Sequence, residues 1–171
     1  MNKHNLELKE QANNYPSLQL SNRHLCDLEL IMNGAFSPLV GFMTKNDYDF
    51  VINEMRLNNG MLWPLPITLD VDDNFISKIS NSSRIALRNK EGFVLAILNI
   101  EDIWQPDLNL EAKSIFGTND IKHPGVHYLL KKSKKNYIGG KIEKVSWQHH
   151  YDYNELRHTP DQLKSIFKKK K

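Results

Sequence analysis

Residues 84–100 read RIALRNKEGFVLAILNI and carry the clearest structural pattern in the chain. The first five place Ile85 and Leu87 on one face and the two arginines on the other, which is typical of a half-buried β-strand. Residues 89–92 contain an asparagine, two charged residues and a glycine, a composition that favours a turn. The residues after the turn are apolar except for Asn99, as expected of a buried strand. Together these segments predict a β-hairpin.

Signals on both sides of the hairpin predict further strands and several helices. Apolar side chains at helical spacing predict helices over residues 21–32, 46–55, 109–116 and 159–167. Apolar, partly β-branched runs predict strands at residues 63–71 and 136–145, the second with a bulge at Gly139–Gly140. The connections between strands are mostly too short for parallel crossovers. We therefore expect an α+β fold with a small, barrel-like sheet and short helices on its outside.

The composition excludes several classes of protein. Of the 171 residues, 40% are hydrophobic and 25% are charged, as in ordinary globular domains and unlike disordered or fibrous chains. No run approaches the roughly 18 consecutive apolar residues of a membrane helix, and the first residues do not resemble a signal peptide. The single cysteine, Cys26, is interpreted as a small buried hydrophobe and not as a nucleophile. We expect a cytoplasmic chain without membrane contact.

The charge pattern argues against a nucleic-acid surface. The net charge is +3, but the lysines at residues 168–171 carry +4, so the rest of the chain is almost neutral. A second cluster of four lysines lies within residues 131–135. Nucleic-acid binders usually spread lysine and arginine over one face and add exposed aromatic side chains. We therefore expect no nucleic-acid partner.

No group of residues forms a recognisable active site. His123 and His127 have the spacing of metal ligands on a helix, but the Pro-Gly pair between them predicts a break in the chain. His149 and His150 are adjacent, so their side chains point in opposite directions in an extended segment. The aspartates within residues 70–73 are ordinary turn formers after a strand. With no phosphate-binding glycine loop and no nucleophile elbow, the residues predict a domain without catalytic, cofactor-binding or metal-binding side chains.

Several distinctive sequence motifs follow one another along the chain. They are RHLCDLELIMNGAFSPLVGFM at residues 23–43, GMLWPLPITLDV at 60–71, HPGV at 123–126, YIGG at 137–140 and RHTP at 157–160. In their order and approximate spacing they resemble the N-terminal domain of the ATP sulfurylase (sulfate adenylyltransferase) family. The resemblance spans about residues 16–167.

This resemblance implies a fold and a division of the chain. The family's N-terminal domain is PUA-like, a small β-barrel with flanking short helices, which agrees with the α+β prediction. We expect residues 1–15 to form an N-terminal arm and residues 16–167 to form the PUA-like domain. Residues 168–171 are expected to be a basic tail at the junction to a catalytic domain that this chain lacks.

The resemblance also implies a nucleotidyltransferase reaction carried out elsewhere. The family enzyme converts MgATP and sulfate to adenosine 5′-phosphosulfate and pyrophosphate, a step of sulfate assimilation. Its catalytic side chains lie in the next domain, on a Gln-x-Arg-Asn-Pro stretch that leads into His-x-x-His, and this chain contains neither motif. We therefore expect the chain alone to be inactive and to bind no cofactor, since ATP and Mg²⁺ belong to the complete enzyme.

The expected partner is that catalytic domain, within a homo-oligomeric enzyme. From their position in the chain, the candidate interface residues are Phe36, Ser37, Pro38, Phe42, Tyr151, Tyr153, Arg157 and Thr159. Two alternatives stay open at this point. One is a separate PUA-like module that uses its lysine clusters to bind RNA, and the other is a scaffold domain without a ligand.

Overall fold

The computed structural model describes residues 3–170. These residues contain seven α-helices, α1 Lys3–Gln11, α2 Asn22–Met32, α3 Lys45–Glu54, α4 Asp73–Ile79, α5 Leu108–Phe116, α6 Pro124–Lys131 and α7 Pro160–Lys169. The strands are β1 Ser17–Gln19, β2 Gly41–Phe42, β3 Leu69–Val71, β4 Arg84–Arg88, β5 Val94–Trp104 and β6 Asn136–Lys144. They form one mixed sheet in the order β1-β4-β5-β6-β2, with β3 paired to β6. The α+β prediction is confirmed.

The chain forms two compact units, and strands β5 and β6 each pass from one unit into the other. Unit 1 holds the chain up to Gly41, Ile85–Leu98, and the chain from Ile142 onward. Unit 2 holds Phe42–Arg84 and Asn99–Lys141. In unit 1, β1 pairs with β4 in parallel, and in unit 2, β3 pairs with β6 in antiparallel orientation.

The predicted hairpin is present as β4, a five-residue connection at residues 89–93, and β5. The Asn89 backbone N–H donates to the Phe93 carbonyl at 3.0 Å, and the Asn89 side chain accepts from the Phe93 N–H at 2.8 Å. Gly92 has a φ of +87°, a conformation that glycine adopts without steric cost. Ile85 and Leu87 are fully buried. The hairpin is thus specified locally, by its turn residues, and stabilised by apolar burial.

Two apolar residues in and just after α1 belong to the core of unit 1. Leu8, on α1, and Ala12, just after it, are buried. They lie in one apolar cluster with Ala86, Val94 and Ile97 of the hairpin. Residues of the predicted N-terminal arm therefore pack into the domain, because α1 places two apolar side chains toward the sheet.

Two elements differ from the prediction because a helix starts where a turn was expected. Asp72 ends β3 and caps α4, since its carboxylate accepts the Phe75 N–H at 2.8 Å. Pro124 does not break the chain but occupies the first turn of α6, where no backbone donor is needed. His123 caps this helix by accepting the Val126 N–H at 3.4 Å. Both errors arise from residues that serve equally well in turns and at helix N-termini.

Two further predictions, of a strand and of a buried cysteine, differ from the structure. Only Leu69–Val71 of the strand predicted at residues 63–71 is a strand, because Pro64 and Pro66 cannot donate ladder hydrogen bonds. Cys26 is exposed, since it lies on the solvent side of α2, whose buried residues include Leu28.

Gly139 and Gly140 are required by close backbone contacts within unit 2. A Cβ atom at Gly139 would lie 2.2 Å from the Met43 carbonyl oxygen, and one at Gly140 would lie 2.0 Å from the Asn99 carbonyl oxygen. Real Cβ atoms are not found at such distances, so these positions accept only glycine. The pair belongs to the continuous strand β6.

Candidate docking face at the C-terminal end of α2

The loop at residues 33–40 and the segment at residues 147–159 both border the C-terminal end of α2, and we call these two stretches the candidate docking face. Asn33 ends α2, and its side chain accepts the Ala35 N–H at 2.9 Å, which shapes the start of the loop. Asn33 lines two clefts, one with Ser37 and Pro38 and one with Arg157 and Thr159. Two stretches that are far apart in the sequence thus meet at one end of one helix.

Hydrogen bonds to β5 hold the chain in place where it leaves β6 and enters the second stretch. The Val145 and Ser146 N–H groups donate to the Leu95 carbonyl at 2.9 and 3.0 Å, and the Ser146 hydroxyl donates to the Val94 carbonyl. Farther along, the His150 ring nitrogen Nε2 lies 2.9 and 3.0 Å from the two carboxylate oxygens of Glu29 on α2. These contacts fix the path of the chain as far as residue 150.

The cleft between α2 and this stretch has a volume of about 290 Å³ and a lining of mixed polar and apolar surface. Glu29 contributes a carboxylate, which His150 already engages. Arg157 contributes a guanidinium, which lies 3.6 Å from the Asp152 carboxylate. The Thr159 hydroxyl also lines the cleft, and it accepts the Gln162 N–H as the N-cap of α7.

The described residues do not fit a magnesium or other metal site. Among residues 3–170, no three His, Cys, Asp or Glu side chains are placed to hold a metal ion. The aspartates that follow β3 have other contacts. Asp70 accepts the Lys134 backbone N–H at 2.8 Å, Asp72 caps α4, and Asp73 accepts from the Asn136 side chain at 2.8 Å. We therefore derive no step through a metal ion.

The predicted interface residues divide into exposed and buried ones. Ser37, Pro38, Tyr151, Tyr153 and Arg157 are exposed, with Tyr151 at 90%. Phe36 and Thr159 are half-buried, and the Thr159 hydroxyl accepts the Gln162 N–H as the N-cap of α7. Phe42 is 2% exposed and both residues of β2 are buried, so its side chain offers little surface to a partner domain.

Sequence reasoning missed other exposed apolar side chains in the same part of the chain. Trp147 and Leu156 are exposed, and so is Phe167 on α7. The Lys144 ammonium lies 3.2 Å from the centre of the Trp147 ring, and partial burial lowers the pKa of Lys144. The spacing of apolar residues in α7 did predict an apolar stripe, but not that this stripe is left uncovered.

The lysine cluster of residues 131–135 lies in unit 2, between α6 and β6. The backbone N–H of Lys134 donates a hydrogen bond to the Asp70 carboxylate, so this lysine-rich segment also contributes to the stability of unit 2. No helix among the described residues has the length and apolar character needed to cross a membrane.

Comparisons with known proteins match most of this chain. A family model described as a PUA-like domain matches residues 1–147. Sulfate adenylyltransferase of Chaetomium globosum is 51% identical over 166 residues, which is 95% of this chain and 29% of that protein. The sulfate adenylyltransferase of Gibberella zeae is 47% identical over 166 residues, which is again 95% of this chain and 29% of that protein. The chain therefore spans about three-tenths of the length of these relatives.

A solved structure supports the fold over nearly the whole chain. A structure described as hexameric APS kinase from Thiobacillus denitrificans superposes with a TM-score of 0.73 and 32% identity, covering 98% of this chain and 29% of that chain. The resemblance to sulfate adenylyltransferase is confirmed for the matched part, and the RNA-binding alternative is not favoured. Because the family model covers far more than half of the residues, this chain belongs to the family of PUA-like domains.

Proposed function

We propose that this chain is the N-terminal, non-catalytic domain of a sulfate adenylyltransferase. The enzyme would join MgATP and sulfate to give adenosine 5′-phosphosulfate and pyrophosphate. The single observation that carries the proposal is the extent of the match, 95% of this chain against 29% of relatives with that name.

The role of the domain would be to support the catalytic region and the assembly of the enzyme. ATP and Mg²⁺ would bind to that region, in a cytoplasmic homo-oligomer that serves sulfate assimilation. The hexameric description of the Thiobacillus denitrificans structure supports an oligomer. The candidate docking face supports a partner domain, because exposed tyrosines such as Tyr151 and Tyr153 are common in interfaces.

The experiment compares the chain alone with a chimera. In the chimera this chain replaces the matching 29% of the Chaetomium globosum protein. Pyrophosphate release from ATP and sulfate is measured for both. The chimera is expected to turn over and the chain alone is not. Turnover by the chain alone would contradict the non-catalytic role, and a folded chimera without activity would contradict the assignment to this enzyme.

A further inference from the structure

The residues that follow α3 fold into a short antiparallel segment, which we call the 55–63 ribbon. The Trp63 N–H donates to the Met55 carbonyl at 2.7 Å, and the Leu57 N–H donates to the Met61 carbonyl at 2.9 Å. Leu57 is buried, so one face of the ribbon packs onto the rest of unit 2. These contacts give the ribbon one defined conformation.

The ribbon and the residues just after it present large apolar side chains to the outside of unit 2. Four of them are exposed, Met55 at 53%, Met61 at 47%, Leu62 at 66% and Leu65 at 50%. Arg56 and Leu62 lie opposite each other in an antiparallel bridge, so both side chains point to the face away from Leu57. A cluster of exposed apolar side chains on an ordered backbone is typical of an interaction surface.

Two residues at the start of the ribbon are unfavourable for the isolated chain. Met55 has a φ of +52°, a left-handed conformation that costs energy for any residue with a Cβ atom. Glu54 is exposed and is the last residue of α3, where the helix dipole disfavours a carboxylate. The structure gives Glu54 no ion pair with another described residue. A contact with another molecule would explain both residues.

The charges beside the apolar cluster indicate the nature of that molecule. Glu54 and Arg56 stand on either side of Met55 in the sequence, and both are exposed. One guanidinium nitrogen of Arg56 donates to the Gly60 carbonyl at 2.9 Å, which leaves other N–H groups for a carboxylate. A surface with an apolar centre, one anion and one cation is complementary to itself, since a two-fold axis can place the Arg56 of each copy beside the Glu54 of the other.

We propose that the 55–63 ribbon is a two-fold contact between two copies of this chain. Leu62 packs on Leu62 of the second copy, and Arg56 of each copy pairs with Glu54 of the other. The inference names a surface for the homo-oligomer of the proposed function and rests on it in that respect. A few side chains cover less than the roughly 800 Å² per partner of a standard interface, so we expect the chain alone to form a weak dimer.

Sedimentation of the chain alone tests this contact at concentrations up to about 1 mM, the range in which a weak dimer forms. The wild type is expected to change from monomer to dimer across this range. Leu62→Asp places a charge in the ribbon, and Leu110→Asp places the same charge at a leucine that is 48% exposed in the first turn of α5, where an acid is favoured. Leu62→Asp should raise the dissociation constant about tenfold or more, whereas Leu110→Asp should change it by less than about twofold. Urea midpoints equal to that of the wild type check that both variants fold.

A charge exchange tests the pairing between copies directly. Glu54→Arg gives each copy two cations at the ribbon, and Arg56→Glu gives each copy two anions, so either variant alone should remain monomeric. An equal mixture of the two variants should form a dimer, because opposite charges then face each other. A dimer that needs both variants cannot arise from a contact within one chain.

The possible outcomes separate the inference from the proposed function. A wild type that stays monomeric, equal effects of Leu62→Asp and Leu110→Asp, or a mixture that stays monomeric would each overturn the inference. A dimer that Leu62→Asp leaves intact and Phe167→Asp dissociates would overturn it in favour of a contact through α7. The activity of the chimera decides the proposed function separately. An active chimera upholds that function in each of these cases, and a folded but inactive one rejects it whatever the mass of the chain alone.

Discussion

Glu111 is a buried charged side chain of unit 2. It is 5% exposed, and its Oε2 atom accepts hydrogen bonds from the Tyr48 hydroxyl at 2.9 Å and the Tyr137 hydroxyl at 3.0 Å. The rings of Tyr48, Trp104 and Tyr137 pack around one another with centroid distances of 5.6 to 5.8 Å. A buried carboxylate is tolerated here because two donors face it.

Replacing Glu111 by alanine should destabilise the domain strongly. Glu111→Ala leaves two buried hydroxyls without this acceptor, and we expect a loss of about 3 kcal/mol in the free energy of unfolding. Glu111→Gln keeps an acceptor and should lose less. The control is Glu101→Ala, which removes an exposed pair with Lys141 and should cost less than about 1 kcal/mol. Urea unfolding of the four proteins checks this, and an equal effect of both alanine variants would contradict it.

The same cluster predicts a stability loss at alkaline pH. Burial and, secondarily, the Glu111 carboxylate hold the pKa of Tyr48 above its usual value. The phenol of an unfolded chain releases its proton near pH 10, roughly, whereas folded Tyr48 retains it. The unfolded state then binds fewer protons, so this contribution to stability is lost as the pH rises above that value. Urea midpoints should fall there less steeply in Tyr48→Phe, and the exposed control Tyr151→Phe should match the wild type.

Gly139 is expected to tolerate no side chain. Gly139→Ala would force apart β6 and the Met43 backbone, which we expect to cost about 3 kcal/mol. Gly60 has a φ of +83° and open space around it, so Gly60→Ala should cost about 1 kcal/mol. Thermal unfolding of both variants tests the ranking. A Gly139→Ala protein as stable as Gly60→Ala would show that the strand can move.

At the scale of elements, the ends of some helices follow from cap residues in the sequence. Ser21 caps α2 by accepting the His24 N–H at 3.2 Å, and Gly117 closes α5 with a φ of +71°. Asp72 and His123 cap α4 and α6, but the same residue types are frequent in turns, so α4 was not predicted and the start of α6 was predicted as a break in the chain. Where a residue type serves both as a turn former and as a helix cap, the surrounding structure decides which of the two roles it takes.

Helix α7 should depend on its cap more than any buried helix does. Thr159→Ala removes the capping box, which is worth about 1 kcal/mol. Since α7 buries no residue, the change should appear locally, as roughly fivefold faster hydrogen exchange at Leu163, with an unchanged global unfolding midpoint. Ser165→Ala, which removes a hydroxyl bonded to the Asp161 carbonyl, serves as the control in the same helix. If both variants exchange alike, the cap does not hold the helix.

At the scale of the whole molecule, the basic residues do not predict nucleic-acid binding. The lysines of residues 131–135 belong to unit 2 and those of α7 to unit 1. A few lysines neutralise few phosphates, so binding to a structured RNA should be weak and should disappear between about 50 and about 200 mM salt. Gel shifts of the whole chain test this. RNA binding that persists at the higher salt concentration, and that is lost when residues 168–171 are deleted, would favour an RNA-binding role.

The sequence by itself determined the local elements of this protein, and the tertiary structure decided which of their faces are covered. Turn and cap residues such as Asn89, Gly92 and Ser21 act on neighbours a few positions away, so their effect can be predicted from the sequence. The burial of Phe42 and the exposure of Phe167 depend on chain segments far away in sequence. The same holds for the meeting of residues 33–40 and 147–159 at α2. Because hydrophobic burial is nondirectional, the local sequence does not specify which distant segment will cover an apolar side chain.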